Sequence, residues 1–307
     1  MHTGMRVAGW GSALPDEIVS NEMLSAVLDT SDSWIRERTG IVQRRWGGTT
    51  AGLAVAAARQ ALDRAGLEPR EVDGVLLATT TPDRQIPATS AAVQHELGVR
   101  GAACDINAAC SGFIYSLVVA SGMLRGGMNA IVVVGSETLS RFTDRTDRTT
   151  AVLMGDGAGA IVVTRSELDC LIGFDLGCDG SSRDLLYAEI GGTIVMRGRE
   201  VFKRAVTACV RSSREALHRA GITVADVDLF VPHQANLRII EAAVQRLGIP
   251  SDRTAVTIAT TGNTSAASIP IAISDAAAQG RLNQGDIVLM TAFGAGMTWA
   301  SAVVVWG

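Results

Sequence analysis

The chain has 307 residues, 47% of them hydrophobic, which is enough to bury a large core in one or two domains. A net charge of −4 gives no global basic field for nucleic acid, and the five cysteines, at 104, 110, 170, 178 and 209, form no C-x-x-C pair of the metal or redox kind. The odd cysteine count, the lack of an apolar stretch after Met1-His2-Thr3-Gly4-Met5-Arg6, and the lack of any run of about 18 apolar residues predict reduced thiols, a cytoplasmic location and no membrane span.

In chain order, the first clear unit is an amphipathic helix through Ala61-Leu62-Asp63-Arg64-Ala65 that stops at Gly66. A short acidic turn and a buried strand in Asp73-Gly74-Val75-Leu76-Leu77-Ala78 follow. Next comes Asp105-Ile106-Asn107-Ala108-Ala109-Cys110-Ser111-Gly112-Phe113, in which small residues lead into a cysteine and an apolar, helix-compatible run begins after it. This pattern delivers a thiol to the first turn of a buried helix, where the peptide dipoles favour a thiolate and small neighbours admit a substrate. A lone cysteine in such surroundings is ordinarily packing. Two later motifs are what give Cys110 a chemical role. Ala130-Ile131-Val132-Val133-Val134-Gly135 predicts another buried strand. Gly155-Asp156-Gly157-Ala158-Gly159-Ala160 lacks Gly-x-Gly-x-x-Gly spacing and runs into Ile161-Val162-Val163, so it predicts a tight turn before a strand rather than a nucleotide cradle.

The second half repeats the first at an offset of 155 to 156 residues. Ala216-Leu217-His218-Arg219-Ala220-Gly221-Ile222 matches Ala61 to Leu67, Asp228-Leu229-Phe230-Val231 matches the strand at Asp73, and Asp286 to Thr291 matches Ala130 to Gly135. Such a period is too long for a solenoid and predicts two copies of one α/β domain. Equivalent loops then converge at a pseudo-twofold axis, with Cys110 opposite Asn263 to Ser265. His233, in Val231-Pro232-His233-Gln234, is expected at the carboxyl end of a strand, where α/β sheets bind ligands, with a helix beginning near Gln234. Thr261-Gly262-Asn263-Thr264-Ser265 precedes an alanine-rich helix. Asn263 therefore reads as an N-cap or, by its equivalence to the Cys110 loop, as a site residue. His2, His95 and His218 are expected to be structural or exposed.

Cys110 in Ala-Ala-Cys-Ser-Gly-Phe, His233 in Pro-His-Gln-Ala-Asn-Leu-Arg-Ile and Asn263 in Gly-Asn-Thr-Ser-Ala-Ala-Ser together resemble the β-ketoacyl-acyl carrier protein synthase III family of the thiolase-like superfamily. The resemblance runs from the Trp34 region to Trp299. It implies an α/β fold of five α-β-α-β-α layers from two duplicated halves, residues 1–165 and 166–307. It also implies a decarboxylative Claisen condensation that starts fatty-acid synthesis. Cys110 takes an acyl group from acyl-CoA, and the enolate of malonyl-acyl carrier protein attacks that thioester. His233, also expected to assist the thiolate, and Asn263 donate to the developing oxyanion. No metal or redox cofactor is implied, and the partners are acyl-CoA, malonyl-acyl carrier protein and a second copy of the chain.

By the same resemblance, Trp34 and Arg148 sandwich the CoA adenine and Arg38 lies near its phosphates. Gln234, Ala235, Asn236, Leu237 and Arg238 contact the carrier protein, with Lys203 and Arg246 adding positive charge for an acidic partner. The backbone N–H groups of Cys110 and Ala295 form an oxyanion site, although the family often has a third glycine where this chain has Ala295. Ile86 closes the acyl pocket across the dimer interface, and the stretch from Cys178 to Val195, shorter than in many members, walls the tunnel. The alternative is a relative that primes polyketide or other secondary metabolism, or transfers acyl groups to oxygen or nitrogen. A non-catalytic carrier-protein scaffold is disfavoured by the retained Cys110, His233 and Asn263, and a thiolase by the absence of a second cysteine in the closing turn.

Overall fold

The chain is described here by a computed structural model covering residues 4–307; His2 lies outside the described residues. Two mixed sheets carry the repeat. The first runs Gly4–Ala13, Asp156–Ser166, Ala130–Thr138, Gly74–Ala78, Ala102–Ile106, and the second Leu171–Cys178, Thr298–Val305, Ile287–Gly294, Leu229–Pro232. In each, the two inner strands of the α/β unit pair in parallel and the other two add antiparallel. The first sheet has an additional edge strand, Ala102–Ile106. Its counterpart in the second sheet is a single bridge between Phe230 and Thr254.

The middle layer consists of two helices related by the same offset, Gly112–Arg125 and Ser268–Ala278. Phe113, Ile114 and Leu117 of one and Ile269 and Ile273 of the other join Leu76, Ile131 and Val133 of the first sheet to Val288, Met290 and Val304 of the second in one core. Thr50–Ala65 and Thr89–Leu97 cover the outer face of the first sheet, and Gly198–Ala220 and Leu237–Leu247 that of the second. This is the five-layered α-β-α-β-α arrangement that the resemblance implies, built from the two copies that the repeat predicts. Every residue of Ala130–Thr138 is buried, as a strand covered on both faces requires.

The sequence identity between halves has a packing cause. A Cβ on Gly9 would come within 2.1 Å of the Ala61 carbonyl, and one on Gly173 within 2.4 Å of the Ala216 carbonyl. Each outer helix therefore lies on its sheet through alanine against glycine. Both helices end where predicted, at Gly66 and Gly221, with left-handed φ values of 66° and 70°. His95 and His218 are exposed on helices, as expected.

The segment from Glu17 to Trp46 is an addition to the first half. Its strands Glu17–Ser20 and Gln43–Trp46 pair with each other, and the helix Asp32–Thr39 lies between them in sequence. Fully buried Arg44 pins it to the site-forming turn. Its guanidinium donates to the carbonyls of Val19 (3.2 Å) and Val152 (2.6 Å) and to Asn21 Oδ1 (2.9 Å), and burial pushes its pKa down to about 10. Arg44→Ala would strand two buried carbonyls and open a cavity. It is expected to lower stability by roughly 3 kcal/mol or more, read as a reduced urea midpoint at unchanged slope.

Candidate active site between the two halves

Two loops meet where the repeat predicts. Ala109, just before Cys110, and Ser265, two residues after Asn263, both have φ of 48°. They are separated by the repeat offset of 156 residues. A non-glycine residue in the left-handed region is uncommon, and a symmetric pair marks the two turns as constrained. Asn263 is tied to the first half by its backbone: its N–H donates to Leu153 (2.8 Å), and its carbonyl accepts from Gly155 (2.9 Å). Between the loops lies a cavity of about 1060 Å³ that Cys110, His233, Asn263 and Ser265 line together. The three residues from separate motifs thus line the same cavity.

Cys110 precedes its helix by two positions, with Ser111 as the N-cap and Gly112 as the first helical residue. Enclosure opposes the helix terminus. Burial pushes the Cys110 thiol up to about 12, aided by the Glu137 carboxylate and opposed by the Ser265 hydroxyl. This enclosure works against the dipole-stabilised thiolate expected from the sequence. The turn at Gly294 presses on the nucleophile, since a Cβ there would lie 2.6 Å from the Cys110 nitrogen. Ala295 and Gly296 line the cavity beside it.

His233 follows the strand Leu229–Pro232 and is buried, its ring edge-on to Phe293 with centroids 5.5 Å apart. Burial pushes its pKa down to about 3, so the imidazole is neutral. Ser268 Oγ accepts from the Gln234 N–H (3.3 Å), and His233 Nδ1 (2.7 Å) is the one acceptor its own proton meets among the described residues, so the hydroxyl donates to the ring. That arrangement places hydrogen on Nε2, which then serves as a donor, whereas the expected assistance to the thiolate needs Nε2 as an acceptor. Ser268 has no signal in the sequence beyond being one of several serines at a helix start.

Asn263 is not the cap of the following helix, which starts at Ser268 after a turn at Ser265–Ala267. Its Oδ1 accepts from the Ser265 N–H (2.9 Å), which orients the amide and leaves Nδ2 as a donor.

The outer residues divide. Trp34 and Arg38 line the cavity, and the Arg148 guanidinium already stacks on Trp34 at 4.9 Å. A purine between them must first displace Arg148, which donates to the Asp29 carbonyl at 2.6 Å. Gln234 is a correction. It is fully buried, its amide donating to the carbonyls of Pro232 and Ala255 and its Oε1 accepting from the N–H groups of Thr257 and Ile258, so it faces no partner. The helix expected near Gln234 starts at Leu237, capped by Asn236, whose amide also donates to the Arg38 carbonyl. Ala235 is buried in the cavity wall, Leu237 packs beside Gly40, and Arg238 is exposed at the rim with Lys203 and Arg199. Arg246 lies apart, in a second hollow with Arg211 and Arg214. The stretch after Cys178 does wall the cavity: Leu186–Tyr187 pairs with Val195–Met196, and Leu186, Tyr187, Ile194 and Met196 line it. Ile86, before a cis Pro87, is 84% exposed and lies outside the cavity of its own chain.

Family models described as 3-oxoacyl-[acyl-carrier-protein] synthase III and as the C terminal of that synthase match residues 104–180 and 217–306. A β-ketoacyl-[acyl-carrier-protein] synthase III from Roseiflexus castenholzii is 47% identical, over 98% of this chain and 97% of its own. The chain belongs to the 3-oxoacyl-[acyl-carrier-protein] synthase III family. The fold agrees with the synthase III crystal structure from Aquifex aeolicus at a TM-score of 0.96, with 44% identity covering 99% of this chain and all of that one. The priming β-ketosynthase of the R1128 polyketide pathway is a more distant relative, 38% identical at a TM-score of 0.95, covering 99% of this chain and 96% of that one. The synthase III family places the chain among acyl-transferring condensing enzymes.

Proposed function

We propose that the chain starts fatty-acid synthesis by condensing an acyl-CoA primer with malonyl-acyl carrier protein through an acyl-Cys110 intermediate. The observation that carries this reading is that Cys110, His233 and Asn263 line one cavity. In the first stage the Cys110 sulfur attacks the acyl-CoA carbonyl, the carbonyl oxygen collects charge beside the backbone at Cys110 and Ala295, and CoA leaves. In the second, the malonyl carboxylate departs as carbon dioxide and the thioester oxygen takes up the electron pair. His233 Nε2–H and Asn263 Nδ2–H are the donors for that oxygen, in a site enclosed enough for such bonds to be strong. The enolate carbon then attacks acyl-Cys110 and the sulfur is released. This chemistry calls on no metal or redox cofactor.

Trp34 and Arg38 are suited to CoA, and exposed Arg238 and Lys203 at the rim suit an acidic carrier protein. A cytoplasmic location fits these substrates; among the described residues no helix is long and apolar enough to cross a membrane. Incubation with a panel of acyl-CoAs and then malonyl-acyl carrier protein, followed by intact mass, tests the reading. It should give acyl-Cys110 first and a β-ketoacyl carrier protein second. Acyl transfer without carbon dioxide release would overturn it. A preference for primers foreign to fatty-acid synthesis would favour the polyketide-priming reading instead.

The homodimer is part of the same proposal. Ala102–Ile106 is an edge strand with unpaired backbone on its outer side, a face that pairing with a second copy would cover. Ile86, exposed in one chain, would then reach the partner's acyl pocket. Ile86→Ala should shift preference toward longer or branched acyl-CoAs by roughly tenfold in relative kcat/KM, and Ile86→Phe toward acetyl-CoA. Competition between acetyl-, isobutyryl- and octanoyl-CoA reads the shift. An unchanged profile in both variants places the pocket's end elsewhere, and a monomer in sedimentation removes the cross-subunit role.

A further inference from the structure

A second hollow lies on the outer side of the second sheet, and no residue lines both it and the cavity of Cys110. It measures about 1010 Å³, the size of a small-molecule site. Thr207, Arg211, Arg214 and His218 line it from the helix Gly198–Ala220, at spacings of four, three and four residues that put all of them on one helix face. Arg246 enters from the end of the neighbouring helix Leu237–Leu247, and Trp299 from the strand Thr298–Val305. Lys203, at the main cavity, and Arg214 are separated by about 16 Å of the same helix.

The acidic and basic groups of this hollow are not matched. Its two carboxylates, Asp175 and Glu215, both face Arg219, at 3.8 Å and 2.8 Å. Among the described residues no carboxylate pairs with Arg211, Arg214 or Arg246. Two of these three side chains are nevertheless held in place. The Arg211 guanidinium lies over the Trp299 ring, 4.5 Å from its centroid. The Arg214 guanidinium donates to the Arg246 carbonyl at 3.0 Å, a bond that uses one of its five N–H groups and links the two helices. Trp299 is fixed in turn by Gly177, its partner on the edge strand Leu171–Cys178. A Cβ on Gly177 would come within 2.2 Å of the indole, so only glycine lets the ring lie there.

We propose that this hollow binds an oligophosphate, a small ligand with two or more linked phosphate groups. Guanidinium meets phosphate through paired N–H donors, and it is the basic group best suited to that geometry. Three such groups in one hollow repel one another, and a multivalent anion replaces that repulsion with attraction. Nucleotides and inorganic phosphate chains share this chemistry; a nucleotide adds a flat ring, for which the Arg211–Trp299 pair offers a stacking surface. An acidic protein surface would present its carboxylates singly, whereas these arginines converge from two helices on one small volume. The occupant would sit close to the active site without entering it. Thr298, beside Trp299 in the chain, lines the main cavity and donates to the Ala108 carbonyl at 2.9 Å, and Trp299 pairs with Phe293, whose ring meets His233.

Calorimetric titration with inorganic pyrophosphate and with ADP, at about 0.15 M salt, tests the site. The wild type should bind pyrophosphate, and Arg211→Gln and Arg214→Gln should each weaken that binding about tenfold or more, as loss of a charge-assisted hydrogen bond does. Arg38→Gln, which alters the main cavity, should leave it unchanged. All three side chains are exposed, so none of the substitutions disturbs the core, and acetylation of Arg214→Gln by acetyl-CoA at the wild-type rate checks that the fold is intact. The two sources are separated with Trp34→Ala protein, in which ADP has lost its stacking partner at the main cavity. ADP binding more tightly than pyrophosphate, with the gain lost on Trp299→Leu, identifies a nucleotide; equal affinities identify an inorganic chain. Failure of the wild type to bind pyrophosphate at millimolar concentration, unchanged affinity in both hollow variants, or loss of binding in Arg38→Gln alone overturns the proposal. It is also overturned if pyrophosphate does not bind and Arg211→Gln instead weakens acyl carrier protein binding, which would make the hollow a protein docking surface.

Discussion

Replacing Cys110 with serine is expected to abolish self-acylation while leaving the fold intact. The substitution keeps the shape of the side chain, and the neighbouring small residues, Ala108, Ala109 and Gly112, tolerate the shorter bond to oxygen. What changes is the nucleophile. The thiol already sits in surroundings that push it up to about 12. An alcohol starts from a far higher proton affinity, so the same enclosure and the same neighbours leave no usable alkoxide. Incubation with acetyl-CoA should give a mass increase equal to one acetyl group in the wild type and none in Cys110→Ser, with matching thermal transitions. Acyl label accumulating in the serine variant at the wild-type rate would remove Cys110 as the acyl carrier. The other four cysteines do not offer a substitute: Cys170 and Cys209 are packed in the core, and Cys104 and Cys178 are exposed and do not line the cavity.

How much of this was legible in the sequence depended on whether a residue announced itself locally or only through its partners. Cys110 and Asn263 became legible through the repeat, because the same offset that equates Gly66 with Gly221 also sets the two loops opposite each other. The structure adds that the equivalence extends to a shared left-handed residue, at Ala109 and Ser265. His233 was legible from the apolar run before it, which placed it at a strand's carboxyl end.

Gln234 was misplaced for a physical reason. A polar residue next to a site histidine reads as outward-facing. Here it satisfies four backbone groups inside the turn between Pro232 and Ile258, a role only the fold reveals. Glu137 was invisible for a similar reason. It is the penultimate residue of a strand whose run of valines signals core, and the hydroxyl and N–H groups its carboxylate accepts from lie 56 to 58 positions earlier in the chain. The protonation states were not legible either. A helix terminus can be foreseen from sequence, but the desolvation that opposes it depends on walls contributed by both halves. The edge strand Ala102–Ile106 is the last such case, because its lone counterpart bridge at Thr254 shows that the two copies have diverged where one of them has an open edge.

The two donors of the second half-reaction should be separable from the nucleophile. Asn263→Ala is expected to retain self-acylation and to lose malonyl-acyl carrier protein decarboxylation by roughly two to three orders of magnitude, the usual effect of deleting one oxyanion donor from an enclosed site. The side chain's other bond, from the Ser265 N–H to Oδ1, holds the turn, so some loss of local order accompanies the change. Asn263→Asp separates the two effects: it keeps the acceptor for Ser265 and replaces the donor with a like charge facing the enolate, and it should be at least as impaired as alanine. His233→Ala should lose more, because Nε2–H is the donor whose orientation the structure fixes through Ser268, and because the ring's removal also takes away the packing against Phe293. A further variant isolates that orientation. Ser268→Ala releases Nδ1 and permits the other tautomer, turning Nε2 from donor to acceptor in a fraction of molecules; decarboxylation should fall with acylation little affected. Carbon dioxide release by Asn263→Ala at the wild-type rate would assign that residue to the turn alone. Equal loss of acylation and decarboxylation in His233→Ala would return the imidazole to the role of base for Cys110.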